Sequence, residues 1–278
     1  MTPDAPAIPA RLAFVGGGNM ARSLIGGLIA RGASPSRISV SEPVASLREA
    51  LANEFGVRVT ADNLEAVHEA DLVLLAVKPQ AMRTVCEQLA GRLQRAVVVS
   101  IAAGITCAQL QRWLQGAAAI VRCMPNTPAL LGVGATGLYA DAATSAAQRA
   151  AAEAVLSAVG LCVWIEDEAR MDSVTALSGS GPAYVFLLAE AMQSAATELG
   201  LPPEAARALT RQTLLGAARM LSEGGEEAAT LRQRVTSPGG TTQAALESFE
   251  RDGFRTMVAR ALTAAERRGA ELSRELGA

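Results

Sequence analysis

Two short stretches hold residue types that could do chemistry. Near one end, Gly16-Gly17-Gly18-Asn19-Met20-Ala21 lies between an apolar run, "RLAFV", and a helical one. This is G-x-G-x-x-A spacing. Glycine lets a tight turn bring backbone close to a pyrophosphate, and the N-terminus of the next helix attracts its charge. Near the other end, residues 235–242 read "VTSPGGTT" within a region rich in Ala, Leu, Glu and Arg. Pro238 lacks a backbone donor, and Gly239 and Gly240 are poor helix formers, so a helix must break there. Freed N–H groups and a helix beginning near Thr242 would form a nest suited to a carboxylate. A helix boundary needs breakers and a cap in any case, so on the residues alone a purely structural turn fits as well.

Other candidates fall at the ends of apolar runs. Glu42 closes Ser41-Glu42-Pro43, slightly beyond the usual spacing of about 20 residues for an acidic acceptor to a dinucleotide ribose. A carboxylate there suits a ribose diol and opposes a 2′-phosphate. Ser41, Arg22 and Arg48 would offset that repulsion, so NADPH and NADH both remain open, as does a solvated Glu opening a helix. Ala76-Val77-Lys78-Pro79, Ile101 to Gly104, and Asn126 with Thr127 in "MPNTP" follow three further runs. Ligands of open α/β sheets sit at such strand ends. Taken alone, Lys78 reads as a loop lysine and the Pro-flanked pair as a rigid turn.

Several chemistries are excluded or disfavoured. "LSGSGPAY" lacks the G-x-S-x-G turn, and the only histidine, His68, is far away in sequence, which argues against a serine-type triad. Its small residues instead predict close approach at the start of a buried helix. Cys86, Cys107, Cys123 and Cys162 are too scattered for a paired metal motif, so no metal is expected and the reading is four small buried thiols in a reducing compartment. A net charge of −2 and 3% aromatics give no footprint for nucleic acid. The opening residues show no charged, then apolar, secretory pattern, and no apolar run reaches membrane-spanning length uninterrupted. A cytoplasmic protein is expected.

The elements that must position these residues change character along the chain. "RLAFVG", "ISVS", "VRVT", "LVLLAV", "AVVVSIA" and "AIVRCM" read as strands. "NMARSLIGGLIARG", closed by Gly32, "VASLREALANEF" and "TCAQLQRWLQ" read as helices between them. "ADNLEAVHEA" is predicted as a helix too, with Asp62 and Glu65 at the spacing of a capping pair and His68 on a solvated face. Such alternation predicts an α/β, Rossmann-type, doubly wound parallel sheet. From about Met171 only helices follow. "GPAYVFLLAEAMQSAATELG" is apolar around most of its circumference and needs burial on more than one side. The predicted division is a dinucleotide-binding domain over 1–166 and an all-helical domain over 167–278.

Taken together, "FVGGGNMA", "LLAVKPQ", "SIAAGI", "RCMPNTPA", "SGSGPAY" and "RVTSPGGTTQAALESFE" make the chain resemble pyrroline-5-carboxylate reductase along nearly its whole length. The last segment is the most specific, with Gly240, Thr242, Ala245 and Phe249 in matching places. The resemblance implies reduction of 1-pyrroline-5-carboxylate to L-proline by NADPH or NADH. It also implies helices interlaced with a second subunit in a homodimer, and in some members a decamer. It places Gly16 to Ala21, Asn63, Ala76 to Pro79 and Ile101 to Gly104 in cofactor-contacting segments. Ser237, Pro238, Gly239, Gly240, Thr241 and Thr242 fall in the loop that holds the substrate carboxylate, with Thr242 at the ring nitrogen. Glu42 departs from members that carry a small polar residue near the 2′-phosphate. Glu223, Glu226 and Glu227 align too poorly with a substrate-side glutamate to be given a role. Reduction of another cyclic imine, or nucleotide sensing without catalysis, are the competing readings; a hydroxy-acid dehydrogenase would want an acid/base Lys or His that the helical half does not offer.

Overall fold

The strands are built from short apolar runs that bury both faces, as a parallel sheet covered by helices requires. In the computed structural model, which describes residues 8–93, 95–116 and 119–277, β1 (Leu12–Val15), β4 (Leu72–Leu75) and β5 (Val97–Ser100) are buried at every position. They join β2 (Ile38–Ser41), β3 (Arg58–Thr60), β6 (Ala119–Met124), β7 (Gly134–Ala140) and β8 (Gly160–Trp164) in one sheet of order β3-β2-β1-β4-β5-β6-β7-β8. All neighbours are parallel except β6 and β7, which are antiparallel. The expectation that the opening residues carry no secretory pattern falls on 1–7, outside the described residues.

Alternation along β1 splits the core in two. Leu12 and Phe14 pack with Ala21, Leu24 and Leu28 of α1 (Asn19–Ala30), Leu51 of α2 (Ala45–Phe55) and Val155 of α6 (Ala146–Leu156). Ala13 and Val15 pack on the other face with Val67 of α3 (Asn63–Val67), Met82, Cys86 and Leu89 of α4 (Pro79–Leu89), and Leu110 and Trp113 of α5 (Cys107–Trp113). These segments belong to the first of two compact units, residues 1–180 with 265–278.

Three local readings need correction. Asp62 does cap α3, its side chain accepting from Leu64 N, but Glu65 accepts from the Thr60 hydroxyl instead of completing a pair with Asp62. Helix α3 is only five residues long, and His68 is its exposed C-cap, not part of a helical face. The sheet also carries an antiparallel strand that the alternating pattern did not predict. "GATGLYA" is poor in β-branched residues, and Gly137 is required by packing: a Cβ there would lie 2.6 Å from Val174 Cγ1. Cys86, Cys107 and Cys123 are buried as expected, while Cys162 is half-buried. Burial pushes the Cys86 and Cys162 thiols up to about 12 and Cys123 well above the ordinary thiol range, so Cys123 stays a neutral thiol near neutral pH.

Past the sheet, α7 (Met171–Val174) leads into a π-helical turn over residues 175–179. Its approach is fixed by Arg122 of β6, only 4% exposed, which reaches Glu168 Oε1 and Asp172 Oδ1 at 3.3 Å each. Glu168 Oε1 also accepts from Cys107 N at 2.7 Å, tying in the start of α5.

The second unit, residues 181–264, holds α8 (Gly181–Glu198), α9 (Pro203–Glu223), α10 (Ala228–Arg234), α11 (Thr241–Arg251) and the first part of α12 (Phe254–Gly277). Helix α8 packs on α9 yet buries none of its residues. Among the described residues no helix is long and apolar enough to cross a membrane.

Removing one member of a buried ion pair strands the others. Arg122→Met is therefore expected to destabilise the fold by about 3 kcal/mol, seen as a lower denaturation midpoint. An unchanged midpoint would refute the anchoring role.

Candidate functional site

The glycine-rich turn is built by close approach. Gly16 has φ +98°, and a Cβ there would sit 2.7 Å from the Ala76 carbonyl oxygen, so only glycine fits between β1 and β4. Its N–H donates to Ser41 O at 2.8 Å. Gly18 caps α1 without a side-chain acceptor, and space is open where its Cβ would be. The first turn of α1 carries no acidic residue, and its N–H groups have no intrahelical partner. Donors, a positive helix end and open space at one point fit an anion such as a pyrophosphate.

Glu42 is neither solvated nor the first residue of a helix. It is buried, with Oε2 accepting from Gly17 N at 2.9 Å and Oε1 from Val44 N at 3.0 Å; α2 starts after Val44. Each oxygen keeps a lone pair for a further donor. Arg48 donates to the Glu42 and Pro43 carbonyls at 2.7 and 2.8 Å and has no carboxylate partner among the described residues. Arg22, by contrast, is paired with Glu54. The Ser41 hydroxyl is buried and unpartnered. Carboxylate, free guanidinium charge and orphan hydroxyl thus meet at the end of β2, so the residues fit a dinucleotide without selecting its ribose.

The remaining predicted cofactor residues of this unit lie on the same rim, after the carboxyl ends of β3, β4 and β5. Asn63 opens α3, its Nδ2 donating to Gln88 Oε1 at 3.0 Å. Ala76 N donates to Val15 O at 2.8 Å, half-buried Val77 follows, and Lys78, the chain's only lysine, is the exposed N-cap of α4 ahead of Pro79. Ile101 N reaches Leu75 O at 3.3 Å; Ala102 is buried, and Ala103 leads to Gly104 at φ +73°. The unit therefore brings together Gly16 to Ala21, Ser41, Glu42, Asn63, Ala76 to Pro79 and Ile101 to Gly104. Chain order reverses between β1 and β4, the switch point where open sheets bind ligands. A hollow of about 550 Å³ between Arg11, Arg37, Arg58 and His68 lies at the opposite, amino end of the strands. Strand polarity, not hollow size, locates the dinucleotide rim.

In the second unit, "VTSPGGTT" breaks the chain between α10 and α11 as expected. Four of its donors are already used: Thr236 N bonds Gln233 O at 3.1 Å and its hydroxyl Arg232 O at 2.6 Å, Gly239 N bonds Gln243 Oε1 at 2.7 Å, and Gly240 N bonds Ser237 O at 3.0 Å. Gly239 adopts φ +69°, and Gly240 is the N-cap of α11 with no side-chain cap. What the break leaves free is the first turn of α11, with the N–H groups of Thr241 and Thr242, and their hydroxyls, which have no partner among the described residues, beside exposed Ser237 and Pro238. The internal pairs set the loop's shape and do not involve the side chains of Thr241 and Thr242. Glu223 and Glu226 are paired with Arg219 and Arg234.

Sequence reasoning missed the π-helical turn and the Arg122 network beneath it. The only signal for the latter was an arginine within the apolar "AIVRCM", a charge that burial obliges to find partners.

Comparison with known proteins accounts for both halves. Residues 168–272 match the family model for pyrroline-5-carboxylate reductase dimerisation, and residues 11–104 match the model for NADP oxidoreductases, coenzyme F420-dependent. The pyrroline-5-carboxylate reductase of Pseudomonas aeruginosa is 55% identical over 96% of this chain and 98% of its own length. A solved pyrroline-5-carboxylate reductase from Coxiella burnetii superposes with a TM-score of 0.92 at 45% identity, covering 95% of this chain and 98% of its own. The Plasmodium falciparum pyrroline carboxylate reductase, solved with NADP bound, gives 0.84 at 26% identity over 96% and 100%. With that identity spanning the rim residues and the "SPGGTT" loop alike, the chain belongs to the pyrroline-5-carboxylate reductase family of NAD(P)-dependent oxidoreductases.

Proposed function

We infer that the chain carries out its family's reaction, reduction of 1-pyrroline-5-carboxylate to L-proline with NAD(P)H, the last step of proline biosynthesis. The observation that carries this reading is the presence, in one chain 55% identical to such a reductase, of a pyrophosphate-type turn and a separate anion loop with free threonine donors. The bound nicotinamide supplies a hydride. Gly16 to Ala21 hold the pyrophosphate, Ser41, Glu42 and Asn63 the adenosine ribose, and Ala76 to Pro79 with Ile101 to Gly104 the nicotinamide half. Ser237 to Thr242 hold the substrate carboxylate, and the Thr242 hydroxyl contacts the ring nitrogen.

This set contains no histidine, and the chemistry needs none. A protonated imine is far more electrophilic than a neutral one. The hydride pair goes to the imine carbon, the C=N π pair withdraws to nitrogen, and the proton already there remains on the product amine. Solvent supplies that proton, and Thr242 holds the N–H in place. The protein's contribution is orientation and exclusion of water.

The division into a dinucleotide-binding region over 1–166 and a substrate and dimerisation region over 167–278 is part of the same proposal, supported by the family model beginning at 168. So is a homodimer, with the decamer as its higher assembly. Phe186 and Leu187 of α8 are 67% and 66% exposed, an apolar face that a second copy would cover. Free cysteines support placing the enzyme in the cytoplasm.

Parallel assays with NADH and NADPH are expected to show turnover of pyrroline-5-carboxylate well above that of pyrroline-2-carboxylate. Nucleotide binding with no imine turned over would instead support a sensor. Thr242→Ala should lower kcat about tenfold or more, the loss of one charge-assisted hydrogen bond, with dinucleotide Kd unchanged. Thr242→Ser should retain most activity, and full activity in the alanine variant would remove Thr242 from the mechanism. Phe186→Asp with Leu187→Asp should give monomers by light scattering. A dimer that survives both changes would exclude this face from the interface.

A further inference from the structure

The loop after β6 carries an asparagine whose side-chain oxygen and nitrogen each bond backbone. Ala135 N donates to Asn126 Oδ1 at 2.9 Å, and Asn126 Nδ2 donates to Ser178 O at 3.0 Å. The second bond lands on the π-helical turn, where Ser180 N reaches back five residues to Thr175 O at 2.8 Å. In a regular helix the Ser178 carbonyl would accept from the residue four positions on. That residue is Pro182, which has no N–H. Asn126 supplies a donor in its place.

The position of this bond gives it consequence. Strand β6 ends at Met124 and runs parallel to β5, so Asn126 stands on the same carboxyl rim as Ile101 to Gly104. The turn is pressed close to that rim. A Cβ on Gly179 would lie 2.7 Å from Met124 Cε, so the small residues of "SGSG" serve the close approach expected of them. The hydroxyls of Thr175 and Ser178 bond back to Met171 O and Val174 O at 2.9 and 3.0 Å, holding the widened turn in shape. π-turns of this kind concentrate at functional sites.

We propose that Asn126 is a positioning residue for the hydride transfer. Its amide clamps the π-turn to the sheet rim and thereby fixes the spacing between the nicotinamide end of the dinucleotide site and Ser178 to Ser180. The proposal rests on the reading above that places the cofactor along this rim. It assigns Asn126 no contact with either reactant: the bonds it makes from Oδ1 and Nδ2 are both to backbone. A shift of about 1 Å in such a support costs about a hundredfold in rate while leaving distant binding contacts intact.

Asn126→Asp separates the two bonds. It keeps the acceptor for Ala135 N and sets a carboxylate oxygen against the Ser178 carbonyl, where only its protonated form can donate. The full-length enzyme should fold, bind NADPH with Kd within twofold of wild type and lose about a hundredfold in kcat. Activity relative to wild type should recover as pH falls and the introduced acid protonates; Asn126→Ala should lose kcat with no such recovery. Unchanged kcat in Asn126→Asp overturns the proposal. So does failure to fold, or a loss of NADPH affinity matching the loss of rate, since either makes Asn126 scaffold alone. A wild-type enzyme that turned over no imine would instead refute the functional reading, a separate outcome.

Discussion

A guanidinium buried inside a sheet must keep opposite charge within reach, and Arg122 imposes that condition on this fold. It sits on β6 amid an apolar run, and its counter-charges, Glu168 and Asp172, come from the segment that leaves the sheet. The chain after β8 therefore has one place to go. Glu168 draws in the start of α5, and close to Asp172 a Cβ on Gly269 would fall within 3.3 Å, so the end of α12 shares the anchor. The Ser173 hydroxyl bonds Glu266 of the same helix. Arg122 thus holds the segment leaving the sheet, and bonds from Glu168 and Ser173 tie α5 and α12 to that segment. The π-turn beyond Val174 inherits its place from them and is then clamped by Asn126.

The chemistry that this frame serves relies on backbone more than on side chains. Gly16 lets two strands approach within 2.7 Å of where a side chain would begin, and the α1 terminus offers its donors to whatever anion arrives. Glu42, the acidic residue nearest that turn, is turned to structural use: it holds Gly17 and the start of α2 together through two backbone N–H groups. Beside it Arg48 is met by the Glu42 and Pro43 carbonyls, so charges of both signs lie at the end of β2. At the other end, the "SPGGTT" loop spends its glycine donors on its own shape, while Thr241 and Thr242 open α11. An iminium substrate asks for orientation rather than for a strong acid, and the roles proposed for both half-sites are of that kind.

Much of this was legible in the residues because the patterns were local. Short apolar runs such as "LVLL" and "VVVS", set in an alternating series, read as buried strands, and the glycines before α1 permit a tight turn. Less legible was whatever depended on partners distant in sequence. Nothing near "GATGLYA" shows that it pairs antiparallel with β6, since the requirement for Gly137 comes from Val174. Glu65 has the spacing of a capping partner, but it accepts from the Thr60 hydroxyl, whose oxygen in turn accepts from Asp62 N. The π-turn leaves no composition signal, and its clue, Pro182 four residues after Ser178, acquires meaning only once Asn126 is seen supplying the missing donor. The assignment of the two ligand loops to one reaction came from family likeness, not from spacing.

Isotope transfer tests the central claim most directly. With dinucleotide deuterated at the transferable nicotinamide C4 position and pyrroline-5-carboxylate as substrate, the proline formed should carry one deuterium at C5 and none elsewhere, read by mass spectrometry and proton NMR. Proline formed without that label, or label lost to solvent before transfer, would contradict direct hydride delivery to the imine carbon.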